Sequence, residues 1–181
     1  VAFTSLTRAF DFYAETKDVD AAVSVAVYPM QPLPGHRVAV ELVTRALELV
    51  PSDSSEAGHL LSRYVLMMGL EEGDYQGSME ACDRALAIAQ RTGDVELEMK
   101  TLAYSSTVDY WHLRWQGTVT KGLRVIDLAR QAADQLPEVS ARFWVGIALL
   151  GIGEPQAAQP HATAMLSAAE SLRDRYWLAT A

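Results

Sequence analysis

Residues of matching class recur in this chain every 40 positions, and that spacing constrains its fold more than any other feature. Tyr75, Trp115 and Pro155 form one column, and Gln76, Gln116 and Gln156 a second. Ala85, Val125 and Met165, then Leu86, Ile126 and Leu166, then Ala89, Ala129 and Ala169 continue the series. An earlier segment of each unit repeats in the same phase, with Tyr64, Tyr104 and Trp144 beside Val65, Ser105 and Val145. A fixed period of this length marks an array of small supersecondary units, none of which can bury its apolar face alone.

Within a unit the apolar residues follow helical spacing. Tyr75, Met79, Cys82, Ala85, Leu86 and Ala89 make one stripe, and Trp115, Val119, Val125, Ile126 and Ala129 the next. No stretch alternates with period two for long enough to form a sheet. The breaks agree: Gly73-Asp74 and Gly93-Asp94 interrupt the pattern, Asp94 suits an N-cap, and Asp53 with Glu56 reads as a capping box. Pro137 and Pro155 suit first helical positions, where the missing N–H costs nothing. The pattern predicts helices near 3–16, 19–28, 36–50, 54–71, 75–91, 94–113, 116–133, 137–150 and 155–172, and from 174 onward. The expected architecture is all-α, a right-handed superhelical solenoid of antiparallel helix pairs. Residues 1–35 form irregular helices and a proline-rich joint at Pro29-Met-Gln-Pro-Leu-Pro-Gly35, and residues 36–181 carry the repeats, one continuous solenoid.

Composition narrows the function. Half of the 181 residues are hydrophobic, enough for a sizeable core, and 15 Lys plus Arg against 23 Asp plus Glu leave a net charge of −8. That field repels phosphate backbones and anionic membranes, so direct nucleic-acid binding by this segment is not expected. No apolar run reaches the roughly 18–20 residues of a membrane span, and no signal-peptide pattern opens the chain. The single Cys82 excludes an intrachain disulfide and favours a reducing, cytoplasmic home. The opening Val1 and a closing stretch, Asp174 to Ala181, that reads as a helix beginning suggest a segment of a longer protein.

Gly73-Asp74-Tyr75, Ala85-Leu86-Ala87-Ile88-Ala89 and Gly93-Asp94 together resemble the turn and second helix of tetratricopeptide-type repeats. With a unit of about 40 residues, Arg45 to Pro51, Arg84 to Asp94 and Leu172 to Trp177 resemble the helical region of large ATP-binding LuxR-type transcriptional regulators, maltose-regulator-like, and of related multidomain signalling ATPases. The resemblance spans about residues 3–181 and is strongest from 36 onward. It implies an upstream ATPase and a downstream output domain. Gly153-Glu154-Pro155 departs from the Gly-Asp-aromatic turn of the pattern.

Convergent chemistry is scarce. His36, His59, His112 and His161 fall in different helices without metal-ligand spacing, and Gly117-Thr-Val-Thr-Lys-Gly122 lacks the spacing and order of a phosphate-binding loop. Asp109 and His112 share a helix face and read as a surface pair, Cys82 as core, and Glu71, Glu72 and Asp74 as a solvated turn. No metal, cofactor or catalytic residue is expected.

The first helices of the units should line a concave groove. That phase selects Leu60, Arg63, Met67 and Glu71, then Lys100, Ala103, Thr107, Tyr110 and Trp111, then Phe143 and Ile147. Of these, Arg63, Met67, Lys100, Tyr110, Trp111, Phe143 and Ile147 are the candidate ligand-binding residues, with Arg63 and Lys100 meeting Tyr110 and Trp111 across neighbouring units. The same face suits packing against neighbouring repeats or domains, and the sequence leaves both uses open. The chain contains no asparagine, which argues against a carboxylate clamp of the chaperone-binding type. The expected role is an interaction or effector-sensing scaffold of a signal-responsive regulator, with a protein, peptide or small effector as partner. The alternative is a structural arm of a signalling cyclase or kinase. Tyr176, Trp177 and Leu178 offer an apolar edge for self-association.

Overall fold

The computed structural model describes residues 2–28, 38–173 and 175–180; the proline-rich joint lies outside these residues. The described residues are all helical, with no strand. In order they form α1 (Ala2–Glu15), α2 (Val19–Ala26), α3 (Val38–Leu47), α4 (Ser55–Met67), α5 (Tyr75–Thr92), α6 (Val95–Trp111), α7 (Trp115–Gln131), α8 (Gln135–Gly151), α9 (Pro155–Leu172) and α10 (Arg175–Thr180). No helix among the described residues is long and apolar enough to cross a membrane.

The turns carry a spacing finer than the one visible in the sequence. From Gly73 onward the backbone enters the left-handed region every 20 residues, at Gly73, Gly93, Leu113, Ala133, Gly153 and Arg173. At four of these turns the next amide closes a Schellman bond to the helix just left: Asp94 N to Ala89 O at 3.0 Å, Arg114 N to Asp109 O at 2.8 Å, Asp134 N to Ala129 O at 2.9 Å and Glu154 N to Leu149 O at 2.9 Å. The amide's own side chain then often starts the next helix. Asp74, Asp94 and Asp134 accept from Gly77 N at 2.9 Å, Leu97 N at 2.9 Å and Leu136 N at 3.2 Å. Each 40-residue unit is thus two helices of equal period.

Three local expectations are corrected. The cap of α4 is Ser54, whose Oγ accepts from Ala57 N at 3.1 Å, rather than Asp53. Glu56 still belongs to that start: hydrogen bonds from its own backbone N–H and from Ser54 hold its carboxyl below the usual value. α4 does not continue regularly to residue 71 but ends in a π-helical turn, Met68–Glu72, which absorbs one extra residue before Asp74 N bonds Met68 O at 3.0 Å. α8 begins two residues before Pro137, because Asp134 caps it from the preceding turn. Pro155 is at the start of α9, as expected.

The chain divides into two compact units, Val1–Thr101 and Leu102–Ala181. In the first, Phe10 of α1, Ala22, Val23 and Ala26 of α2, Leu42, Val43 and Ala46 of α3 and Leu60 of α4 form one core. Arg45 lies over the Phe10 ring at 4.7 Å and reaches Asp11 at 2.7 Å, closing the rim of that core. The approach of α4 to its neighbours needs Gly58, where a Cβ would sit 2.6 Å from Leu97 Cδ2 and 3.0 Å from Ile88 Cγ2. Ser78 pins α5 to α4 by donating to the Val65 carbonyl at 2.7 Å, and Cys82 is buried beside it in the same stripe.

The second unit packs α7 on α8 and α8 on α9. Its buried stripes repeat those of α5: Ser78, Thr118 and Ala158 are buried, as are Ala85, Val125 and Met165, and Ala89, Ala129 and Ala169. The Gln76, Gln116 and Gln156 column is exposed. Thr118 also repeats the hydroxyl pin of Ser78, exchanging hydrogen bonds with Ser106, whose Oγ donates to Thr118 O at 3.0 Å. Each fully buried valine or leucine in these stripes stabilises by roughly 1.5–3 kcal/mol relative to exposure.

Candidate functional site

α8 and α9 are joined by a tight turn at Gly153, so the two run side by side and their facing sides bound a cleft of about 270 Å³. α8 supplies Arg142, Phe143, Gly146, Ile147 and Leu150, spaced to fall on one face. α9 supplies Pro155, Ala158, Gln159, Ala162 and Met165, and Thr180 of α10 contributes at the rim. Small residues make the space: the Cβ that Gly146 lacks would meet nothing nearer than His161 Cβ, at 3.9 Å. The walls are mostly apolar, the usual character of a small-molecule pocket.

The principal polar wall is Arg142, which is only 6% exposed. Its Nε and Nη2 donate to Glu138 Oε1 at 2.9 and 2.7 Å, and its Nη1 stands 3.4 Å from His161 Nδ1. Arg130, from α7, donates to the same Glu138 oxygen at 3.0 Å. Burial alone would raise the Glu138 carboxyl, but the hydrogen bonds and charges of Arg142 and Arg130 outweigh it and hold the group below its usual value. His161 is pushed down by burial first, then by Arg142 and Arg130. Its ring is therefore neutral near pH 7. Because a guanidinium can only donate, Nδ1 is the acceptor and the ring proton sits on Nε2.

An aromatic chain runs beside the cleft. Tyr110 packs against Trp111, Trp115 and Trp144 with centroids at 5.7, 5.3 and 4.7 Å. Phe143 carries the chain from Trp144 at 4.9 Å to Trp177 at 5.9 Å, and Tyr176 ends it at 5.0 Å from Trp177. Such offset and edge-on pairs each contribute about 0.5–1.5 kcal/mol beyond area burial.

Among the candidate residues, Phe143 and Ile147 line the cleft, and Tyr110 and Trp111 join Phe143 through Trp144 in the ring chain. Trp111 is 62% exposed. Arg63, Met67 and Lys100 belong to the first unit. Lys100 is exposed, whereas Met67, like Leu60, has no exposed surface and Arg63 is buried at 5%, so these α4 positions are interior rather than open lining. Sequence reasoning missed the Arg142–Glu138–Arg130–His161 cluster. Its one local signal is Glu138 four residues before Arg142, the orientation that pairs well on a helix.

Asp109 is corrected as well. It is buried rather than at the surface, and Lys121 of α7 reaches its carboxylate at 2.7 Å and the Ser105 hydroxyl at 2.6 Å. A serine, lysine and aspartate so close together resemble a nucleophile with its base, yet Ser105 is fully buried and Asp109 is 1% exposed, so a substrate has no approach. The group fastens α7 to the C-terminal half of α6. Cys82 is likewise enclosed.

Compared with known proteins, the chain matches no family model and no curated protein.

Proposed function

We propose that this chain is a non-catalytic, effector-sensing and interaction segment of a larger signal-responsive regulator, and that the α8–α9 cleft holds its effector. The observation that carries the reading is the cleft itself: an apolar cavity between two regular helices, with one buried and ion-paired arginine in its wall and an aromatic chain along its edge. A cavity left open where alanine and glycine stand in place of larger residues forgoes packing energy, which a ligand restores on binding.

The regular 20-residue turn spacing and the repeated buried columns, Ala89, Ala129 and Ala169 among them, support a tetratricopeptide-like, right-handed solenoid. The resemblance to large ATP-binding LuxR-type regulators supplies the context in this proposal: an ATPase on one side, an output domain on the other, and a cytoplasmic setting. The net charge of −8 favours a protein, peptide or small effector over nucleic acid as direct partner.

The test is a titration of the protein with candidate effectors and peptides, followed by tryptophan fluorescence, since Trp144 and Trp177 both touch Phe143. Phe143→Ala and Ile147→Ala are expected to weaken binding by about 1 kcal/mol or more each, as wall residues of a buried contact do. Binding that neither substitution weakens places the ligand elsewhere and removes the cleft from the reading.

A further inference from the structure

The cleft's single buried cation has fewer acceptors than donors. A guanidinium carries five N–H groups. Glu138 accepts two of those on Arg142, both on Oε1, and His161 Nδ1 faces a third at the long distance of 3.4 Å. Among the described residues no further acceptor reaches this side chain, although the residue is more than nine-tenths buried. Arg130 claims the same carboxylate oxygen, so one negative charge serves two guanidinium groups. Arg130 is solvent-exposed and its charge is met by water, whereas Arg142 is buried, shares its one carboxylate, and keeps N–H groups without an acceptor in the wall of an apolar cavity. Buried N–H groups without acceptors are costly, and an anion that accepts from them recovers part of that cost.

Resting on the reading of this cleft as an effector site, we infer that its ligand is a monoanionic carboxylic acid with a compact aromatic or branched aliphatic body. The body fills the space among Phe143, Ile147, Leu150 and Met165, and the carboxylate takes the free N–H edge of Arg142. The volume of about 270 Å³ accommodates a single ring with a short side chain, not a peptide helix or a nucleotide. A single carboxylate meets the open N–H groups of Arg142, whereas a dianion would bring a second charge into apolar walls. The head group also approaches His161, and a nearby anion favours the imidazolium, so binding raises the His161 pKa and draws a proton onto the ring.

The experiment compares three probes on the intact protein by calorimetry: 3-phenylpropionate, its uncharged amide 3-phenylpropionamide, and propionate, which lacks the ring. Proton NMR of the His161 ring is recorded alongside. The acid is expected to bind at least tenfold more tightly than the amide or propionate, and to raise the His161 titration midpoint, which the amide leaves in place. In the paired variant Arg142→Gln with Glu138→Gln, which strands no carboxylate, the preference for acid over amide should vanish while the amide still binds. Equal affinity for acid and amide in the wild-type protein overturns the carboxylate assignment and leaves the apolar cleft standing. Failure of all three probes to bind at millimolar concentration overturns both. If the paired variant does not fold, the wild-type acid-to-amide ratio and the His161 midpoint decide the matter without it.

Discussion

Two glycine-to-alanine substitutions one helix apart should move stability in opposite directions. At Gly122 of α7, an added Cβ would stand 2.4 Å from Val145 Cγ2, 3.5 Å from Ser106 Oγ and 3.7 Å from the Ala141 carbonyl. Carbon atoms rest at about 3.5–4.0 Å, so Val145 must yield by roughly 1 Å. Val145 is fully buried and β-branched, with one strongly preferred helical rotamer, so it has little room to turn. Overpacking of this kind costs about 1–3 kcal/mol. Removing a mid-helix glycine returns about 0.8–1.0 kcal/mol of helix propensity. A 2.4 Å approach to a fully buried side chain falls in the upper part of that range, so the steric side wins and Gly122→Ala should lose about 1–2 kcal/mol. At Gly146 of α8 the nearest atom is 3.9 Å away, so the steric charge disappears and only propensity remains. Gly146→Ala should gain about 0.5–1 kcal/mol. Urea unfolding followed by far-ultraviolet circular dichroism measures both, with the slope checked for constancy so that midpoints convert to free energies. Adding Val145→Ala to Gly122→Ala clears the clash, so the double variant should lose less than the two single losses combined. A Gly122→Ala protein as stable as wild type refutes the packing of α7 on α8 described here.

Ala133 is exposed and held at φ 54°, where a side chain is strained and glycine is not, so Ala133→Gly should raise stability by about 0.5–1 kcal/mol; a lower unfolding midpoint would contradict that backbone geometry. Lys121→Met leaves the Asp109 carboxylate buried without its cation and should cost about 3 kcal/mol, while a loss below about 1 kcal/mol in the same urea assay would show that the pair is not the fastening of α6 to α7. His161 and Glu138 are both held below their ordinary values, so between the folded and unfolded pKa the unfolded chain binds more protons and stability rises with pH. The His161 contribution is complete above about 6.5 and is lost as pH falls through its folded value; the Glu138 contribution is complete above about 4.5 and is lost at lower pH still. His161→Gln should abolish the first decline and retain the second, and unchanged stability of the wild type from pH 7 to pH 5 would rule out the burial assigned to this ring.

What the sequence determined by itself was the part of the fold that local burial imposes. A helix must place its apolar stripe on one side, so the 40-residue columns announced the helices, and the expected range 155–172 of α9 is the one observed. Ala89, Ala129 and Ala169 are buried for the same reason, and Asp94 caps α6 because its side chain needs only an amide three residues away. Tertiary structure decided everything that depends on partners distant along the chain. Leu113, Ala133 and Arg173 adopt the left-handed turn without glycine to announce it, because the packed helices on either side dictate where the chain must reverse. Asp109 reads as a surface residue until α7 brings Lys121 to it across twelve positions. Arg142 and Glu138 are a routine helical pair in sequence, and only the packing of α7, α8 and α9 adds Arg130 and His161, excludes water and leaves the guanidinium short of acceptors beside an apolar cleft. Periodicity records which side of a helix is buried; it carries no information about which charged group the neighbouring helix will bring to that side.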